Sequence, residues 1–168
     1  MADTVAGSSP KVRALFLGPT RIQYDGGDPF EISNLQARLL AQLAIAAPAP
    51  LTTEQLLDAL WPDDRPANAR ASLYNQVSRL RGKVGVDVVQ SVAGAYSLAV
   101  PTDIDEMSQA LLDIERLLHI GAADTAERRA EEAVRLWRGT PLPELPADDA
   151  RAGVIRRRTA ETLRSLCT

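Results

Sequence analysis

Residues 68–84 read NARASLYNQVSRLRGKV. Ala69, Leu73, Val77, Leu80 and Val84 recur at steps of three and four, which marks the buried stripe of a single helix. At about 100° per residue, Ser72, Asn75, Gln76, Arg79 and Lys83 gather on the other side. Those side chains are hydrogen-bonding or basic, the kinds that read base edges and grip phosphates. Arg65, Arg70, Arg79, Arg81 and Lys83 all fall between positions 65 and 86, with no acid among them. Such a local surplus suits a helix facing DNA, and it equally suits a solvated helix face.

Working upstream, Thr52 with Gln55 has the form of a capping box, and Leu51 with Leu56 that of a hydrophobic staple. A helix burying Leu56, Leu57, Leu60 and Trp61 follows, closed by Pro62. Ser33 with Gln36 is a second box, opening a helix with Leu35, Leu39, Leu40 and Leu43 at helical spacing; Pro48 and Pro50 stop it. Before it, Lys11–Gly18, Thr20–Asp25 and Pro29–Ile32 read as about three antiparallel strands, with Asp25-Gly26-Gly27 as a hairpin turn. Residues 1–10 are small and polar and are expected to be a disordered leader. Downstream, Val86–Val92 and Ala95–Val100 form a hairpin turning at Ala93-Gly94, with Tyr96, Leu98 and Val100 facing inward. Sheet, three helices and hairpin is the order of a winged helix-turn-helix, in which the third helix enters the major groove.

From Asp103 the pattern is helical. Met107, Ala110, Leu111, Ile114, Leu117 and Leu118 define one stripe; Ala126, Ala130, Ala133, Val134 and Trp137 a second. Gly139 and prolines 141, 143 and 146 read as a rigid turn; Val154, Ile155, Leu163 and Leu166 line a third helix capped at Asp148. The small residues in these stripes suggest a tetratricopeptide-like helical hairpin. Because such repeats need about three units to bury their faces, this part reads as incomplete, or as packed on the winged helix or another copy. The expected fold is therefore an α+β winged-helix domain over 11–101 followed by an all-α domain over 102–168.

Composition narrows the function. The chain has 168 residues and a formal net charge of −3. Residues 1–101 are charge-neutral, with nine basic and nine acidic side chains, so the acidity lies in the second half. No apolar run nears the roughly 18–20 residues of a membrane span, and the start lacks a secretory pattern, so a cytoplasmic location is expected. One histidine (His119) and one cysteine (Cys167) leave no zinc set and no nucleophile–base pair, and no phosphate-binding glycine loop is present. Neither catalysis nor a cofactor or metal is expected.

The stretches LLDALWPDD, ARASLYNQVSRLRGKVG and VVQSVAGAYSLAV resemble the OmpR/PhoB-type DNA-binding domain, and more narrowly that of the Streptomyces antibiotic regulatory protein (SARP) family. AVRLWRGTPLPEL resembles the opening of the bacterial transcriptional activator domain that follows it in that family. The resemblance implies a transcriptional activator that binds promoter direct repeats as two copies on double-stranded DNA and recruits RNA polymerase through its sigma factor. It puts Arg70, Asn75, Gln76, Arg79 and Arg81 on the recognition helix, and Asp63, Asp64 and Arg65 in the loop that can touch polymerase. Asn75, Gln76 and Arg79 are then expected at bases or in the groove, and Arg70, Arg81 and Lys83 at phosphates, with Ser72 beside them. The family's wing usually carries an arginine near its turn; Ala93 and Ser97 stand there, so the wing at Ala93 and Gly94 is expected to touch backbone at most. A second function remains open, a protein-interaction adaptor that kept the winged helix and lost DNA affinity.

Simple structural roles stand beside these. Trp61 and Trp137 suit the core, His119 suits a helix C-terminus, Asp63-Asp64 suits an exposed turn, and Arg156-Arg157-Arg158 suits a solvated face.

Overall fold

The computed structural model describes residues 11–84 and 88–167. The expected leader at 1–10, and the start of the hairpin's first arm at Val86, lie outside the described residues.

Three strands, β1 (Val12–Leu15), β2 (Arg21–Tyr24) and β3 (Phe30–Glu31), form an antiparallel sheet in that order. Helix α1 spans Asn34–Ala46 and α2 spans Thr53–Leu60, and both start at capping boxes. Ser33 Oγ accepts from Gln36 N at 3.2 Å while Gln36 Oε1 accepts from Ser33 N at 3.1 Å. Thr52 and Gln55 repeat this at 3.2 and 2.8 Å, so each helix entrance satisfies two otherwise orphaned amides. Helix α3 runs Ala69–Val84 and carries the buried stripe expected of it.

The wing holds a strand that the sequence reading did not find. Leu51–Thr52 is β4, and it pairs with β6 (Ala95–Leu98), which in turn pairs with β5 (Val89–Val92). Two residues are too short to show alternation, and Leu51 was legible only as a staple residue. The β5–β6 turn places Ala93 at φ 52° and Gly94 at φ 77°, the two positive angles that match a two-residue hairpin to strand twist. One core unites these parts: Phe16 and Ile22 from the first sheet, Leu39, Leu40 and Leu43 from α1, Leu56 and Leu60 from α2, and Leu73 and Leu80 from α3. Trp61 packs half-buried against it.

The second half comprises α4 (Asp103–His119), α5 (Ala123–Val134) and α6 (Ala150–Leu166). Its stripes are corrected in several places. Leu118 is 56% exposed and Val154 54%, whereas α6 buries Ala152, Thr159 and Thr162. Both threonines donate to carbonyls of their own helix, Thr159 Oγ1 to Ile155 O at 2.9 Å and Thr162 Oγ1 to Arg158 O at 3.0 Å. This self-satisfaction lets a polar residue face inward, a signal that an apolar count misses. The α6 cap is Asp149, whose carboxylate accepts from Ala152 N at 2.9 Å, rather than Asp148. Trp137 is half-buried and lies past the end of α5.

The segment read as a rigid turn is a strap across the winged helix. Arg138 N donates to Leu17 O at 2.7 Å and Leu142 N to Phe16 O at 2.9 Å. Glu144 accepts from Thr20 N and Thr20 Oγ1 at 2.7 and 2.9 Å. Leu142, Leu145 and Ala152 thereby enter the core of the first half. Arg156 fastens the strap from α6, donating to the carbonyls of Pro141, Leu142, Leu145 and Pro146 at 2.8–3.1 Å; a solvated role does not describe it. Under the strap, Asp103 is 1% exposed and accepts from Phe16 N at 2.7 Å and Leu17 N at 3.0 Å. Burial raises its carboxyl pKa, opposed by those two amides and by the Arg138 and Arg13 charges.

Two outcomes are expected. Gly18 has φ +140°, and a Cβ there would stand 2.9 Å from Arg138 Cβ. Gly18→Ala should therefore cost about 1–3 kcal/mol in urea unfolding. Because the folded pKa of Asp103 lies above the unfolded one, folding favours its protonated form. Its contribution is full below the unfolded pKa and is lost as pH rises through the folded one. The urea midpoint of the native chain should accordingly gain on that of Asp103→Asn as pH falls from about 7 to about 4.

Candidate nucleic-acid interface

Helix α3 is held by Leu73, Val77, Leu80 and Val84, and that stripe fixes which side meets solvent. Asn75, Arg79 and Lys83 are exposed, but Ser72 and Gln76 are half-buried. The middle of the free face belongs instead to Ala71, Asn75, Ser78 and Gly82, with Tyr74 at one border and Arg79 at the other. The sequence wheel was centred too far toward Ser72 and Gln76, because it weighed hydrogen-bonding character rather than the direction opposite the buried stripe. Tyr74, 67% exposed, was missed; its signal was an aromatic residue at i+1 from a buried leucine, off the apolar stripe.

The basic side chains divide by what they touch. Arg70 Nη2 is ion-paired to Glu54 Oε1 of α2. Arg65 Nη1 lies 2.9 Å from Glu54 Oε2, and its Nη2 pairs with Asp58. The hydrogen bond from Arg65, before all else, holds the Glu54 carboxyl below its ordinary pKa, and the same bond raises that of Arg65. Arg81 is half-buried and donates to Val89 O at 2.7 and 3.1 Å and to Ser91 Oγ at 3.2 Å, pinning β5 to α3. Lys83 Nζ donates to Glu31 O at 2.8 Å and stands 5.4 Å from the Phe30 ring centroid, a cation–π distance. Among the described residues, the side chain of Arg79 has no hydrogen bond or ion pair.

The flanks complete the surface. Ala93 and Gly94 are exposed at the wing turn, and Gly94 O accepts from Thr53 N and Thr53 Oγ1 at 3.2 and 3.1 Å, which ties the wing to the start of α2. Asp63 and Asp64 are exposed in the α2–α3 loop, while Arg65 turns back onto α2. His119 lies in the last turn of α4 and Cys167 is exposed. Among the described residues no group of three or more His, Cys, Asp or Glu side chains is placed to hold a metal, and no helix is long and apolar enough to cross a membrane.

Comparison with known proteins agrees with this architecture. Residues 27–95 match the family "Transcriptional regulatory protein, C terminal". The chain is 31% identical over 153 residues to the transcriptional regulatory protein EmbR of Mycobacterium tuberculosis, covering 84% of this chain and 39% of that protein. It is 25% identical over 173 residues to the regulatory protein DnrI of Streptomyces peucetius, covering 88% and 64%. It is 29% identical over 150 residues to the regulatory protein AfsR of Streptomyces coelicolor, covering 83% and 14%. A solved structure of M. tuberculosis EmbR in complex with a low affinity phosphopeptide superposes with a TM-score of 0.76 at 26% identity, covering 95% of this chain and 44% of that one. The chain thus spans about two fifths of the length of its mycobacterial relatives.

Gly82 lies on the exposed face, and a Cβ there would meet nothing within 4 Å. Gly82→Ala should raise stability by about 0.5–1 kcal/mol in urea unfolding, the usual helix-interior difference between the two residues.

Proposed function

Since this chain carries an OmpR/PhoB-type winged helix and its relatives are SARP-family transcriptional regulators, we propose that it binds promoter DNA sequence-specifically through α3 and activates transcription. The observation that carries this reading is the free face of α3. Asn75 and Arg79 stand exposed there on a helix locked by a leucine–valine stripe, beside a wing pinned at both Arg81 and Thr53. Small residues at Ala71, Ser78 and Gly82 would let the helix axis approach the base edges closely. Asn75, Gln76 and Arg79 would then read bases in the major groove, and Arg70, Ser72, Arg81 and Lys83 would contact phosphates. Tyr74 would border the same groove.

The finer parts of the proposal follow family behaviour. Residues 11–101 would be the DNA-binding unit and 102–168 the first part of an activator domain. Two copies would sit side by side on direct repeats, and Asp63 and Asp64 would meet the sigma factor of RNA polymerase. The adaptor alternative is favoured by one observation, the pairing of Arg65 and Arg70 with acids of α2, which lowers the positive potential of the face.

Titration of a labelled duplex, first selected by this chain from a random-sequence pool, separates the two. Steep loss of affinity with salt supports DNA binding, because each neutralised phosphate releases counterions. No binding at low salt supports the adaptor. Arg79→Ala should cost about 1–3 kcal/mol in binding to the selected sequence and loosen base preference at one position.

A further inference from the structure

Glu54 stands in the first turn of α2, outside the α3 face, yet both oxygens of its carboxylate are taken by arginines, one from the α2–α3 loop and one from the first turn of α3. Oε1 pairs with Arg70 and Oε2 with Arg65, whose other terminal nitrogen pairs with Asp58 one turn along α2. A DNA phosphate would seek the same guanidinium donors, since it too offers anionic oxygens to several N–H groups at once. For Arg65 both terminal nitrogens already face carboxylates, so a phosphate meets a guanidinium whose charge is partly offset and whose orientation is set by α2. We propose that Glu54, with Asp58 beside it, is an internal substitute for a backbone phosphate, restraining DNA affinity by holding Arg65 and Arg70 against α2. This rests on the DNA-binding reading of α3.

The physics sets the strength of this restraint. All four side chains are at least a third exposed, and ion pairs in water are weak and exchange readily. The duplex, with its dense charge and releasable counterions, therefore displaces the carboxylates at low salt, and the restraint shows as a modest reduction in affinity. Discrimination benefits as well. Phosphate contacts hold any sequence equally, so muting two of them leaves proportionally more of the binding to Asn75 and Arg79 at base edges.

The test uses the full 168-residue chain and fluorescence anisotropy of a labelled duplex of arbitrary sequence across a salt series. Glu54→Gln should bind roughly two- to fivefold tighter, the scale of an exposed ion pair. Its affinity should fall more steeply with salt, by about one further unit of log–log slope, as freed guanidinium reaches phosphate. Asp58→Asn should move in the same direction by less, and it carries the test alone if Glu54→Gln unfolds α2. In an Arg65→Ala, Arg70→Ala background, Glu54→Gln should gain nothing.

Weaker binding by Glu54→Gln would mean that the carboxylate orients the arginines, and would overturn the restraint. An equal gain in the arginine-free background would reduce it to plain repulsion, overturning it equally. Either result leaves the function of α3 standing if the native chain binds. Absence of salt-dependent binding by every variant would remove both readings together.

Discussion

A single buried carboxylate organises the attachment of one half of this molecule to the other. Asp103 receives the amides of Phe16 and Leu17, two groups that follow β1 and have no strand beside them. Left unpaired beneath the strap, each would cost on the order of 1–3 kcal/mol. With them satisfied, residues 16–20 turn tightly enough for Leu17 O, Phe16 O and Thr20 to take their partners from residues 138–144. The strap then delivers Leu142 and Leu145 to the core that also seats α1, α2 and α3. The orientation of the exposed α3 face relative to the second-half helices rests on this carboxylate together with the strap's own bonds and leucines.

Charge along the chain and charge in space tell different stories. The run from Arg65 to Lys83 is uniformly basic in sequence, but folding brings Glu54 and Asp58 against its first two arginines, Val89 O and Ser91 against Arg81, and Glu31 O against Lys83. Arg79 alone among these five has no hydrogen-bond or ion-pair partner among the described residues. A linear count of charges therefore overstates the free positive surface of this helix.

What was legible in the sequence was local. Both capping boxes, the α3 stripe and the two-residue hairpin turn depend on neighbours within a few positions, and all occur as read. The features that escaped depend on partners far along the chain. β4 exists because β6, over forty residues away, supplies its hydrogen bonds. The prolines at 141, 143 and 146 read as a rigid turn, yet Leu142 between them sits at φ 52° and fully buried, bonded to Phe16 and packed in the core. The inward face of α6 was misread because Thr159 and Thr162 carry hydroxyls that the helix itself satisfies. Within the candidate site the helix, Asn75 and Arg79 were legible; the centring of its face and the place of Tyr74 required the rotation that packing imposes.

The strap also bears on how such a molecule is passed on. A winged helix with a closed core of its own can be recombined freely with new neighbours, joined by any linker. Here, the hydrophobic interior is completed by leucines from beyond position 140, so a crossover between the two halves would strand Phe16 and Leu17 without their cover. The unit that stays whole under such an exchange is the winged helix together with the strap and the start of α6, because their side chains share one interior.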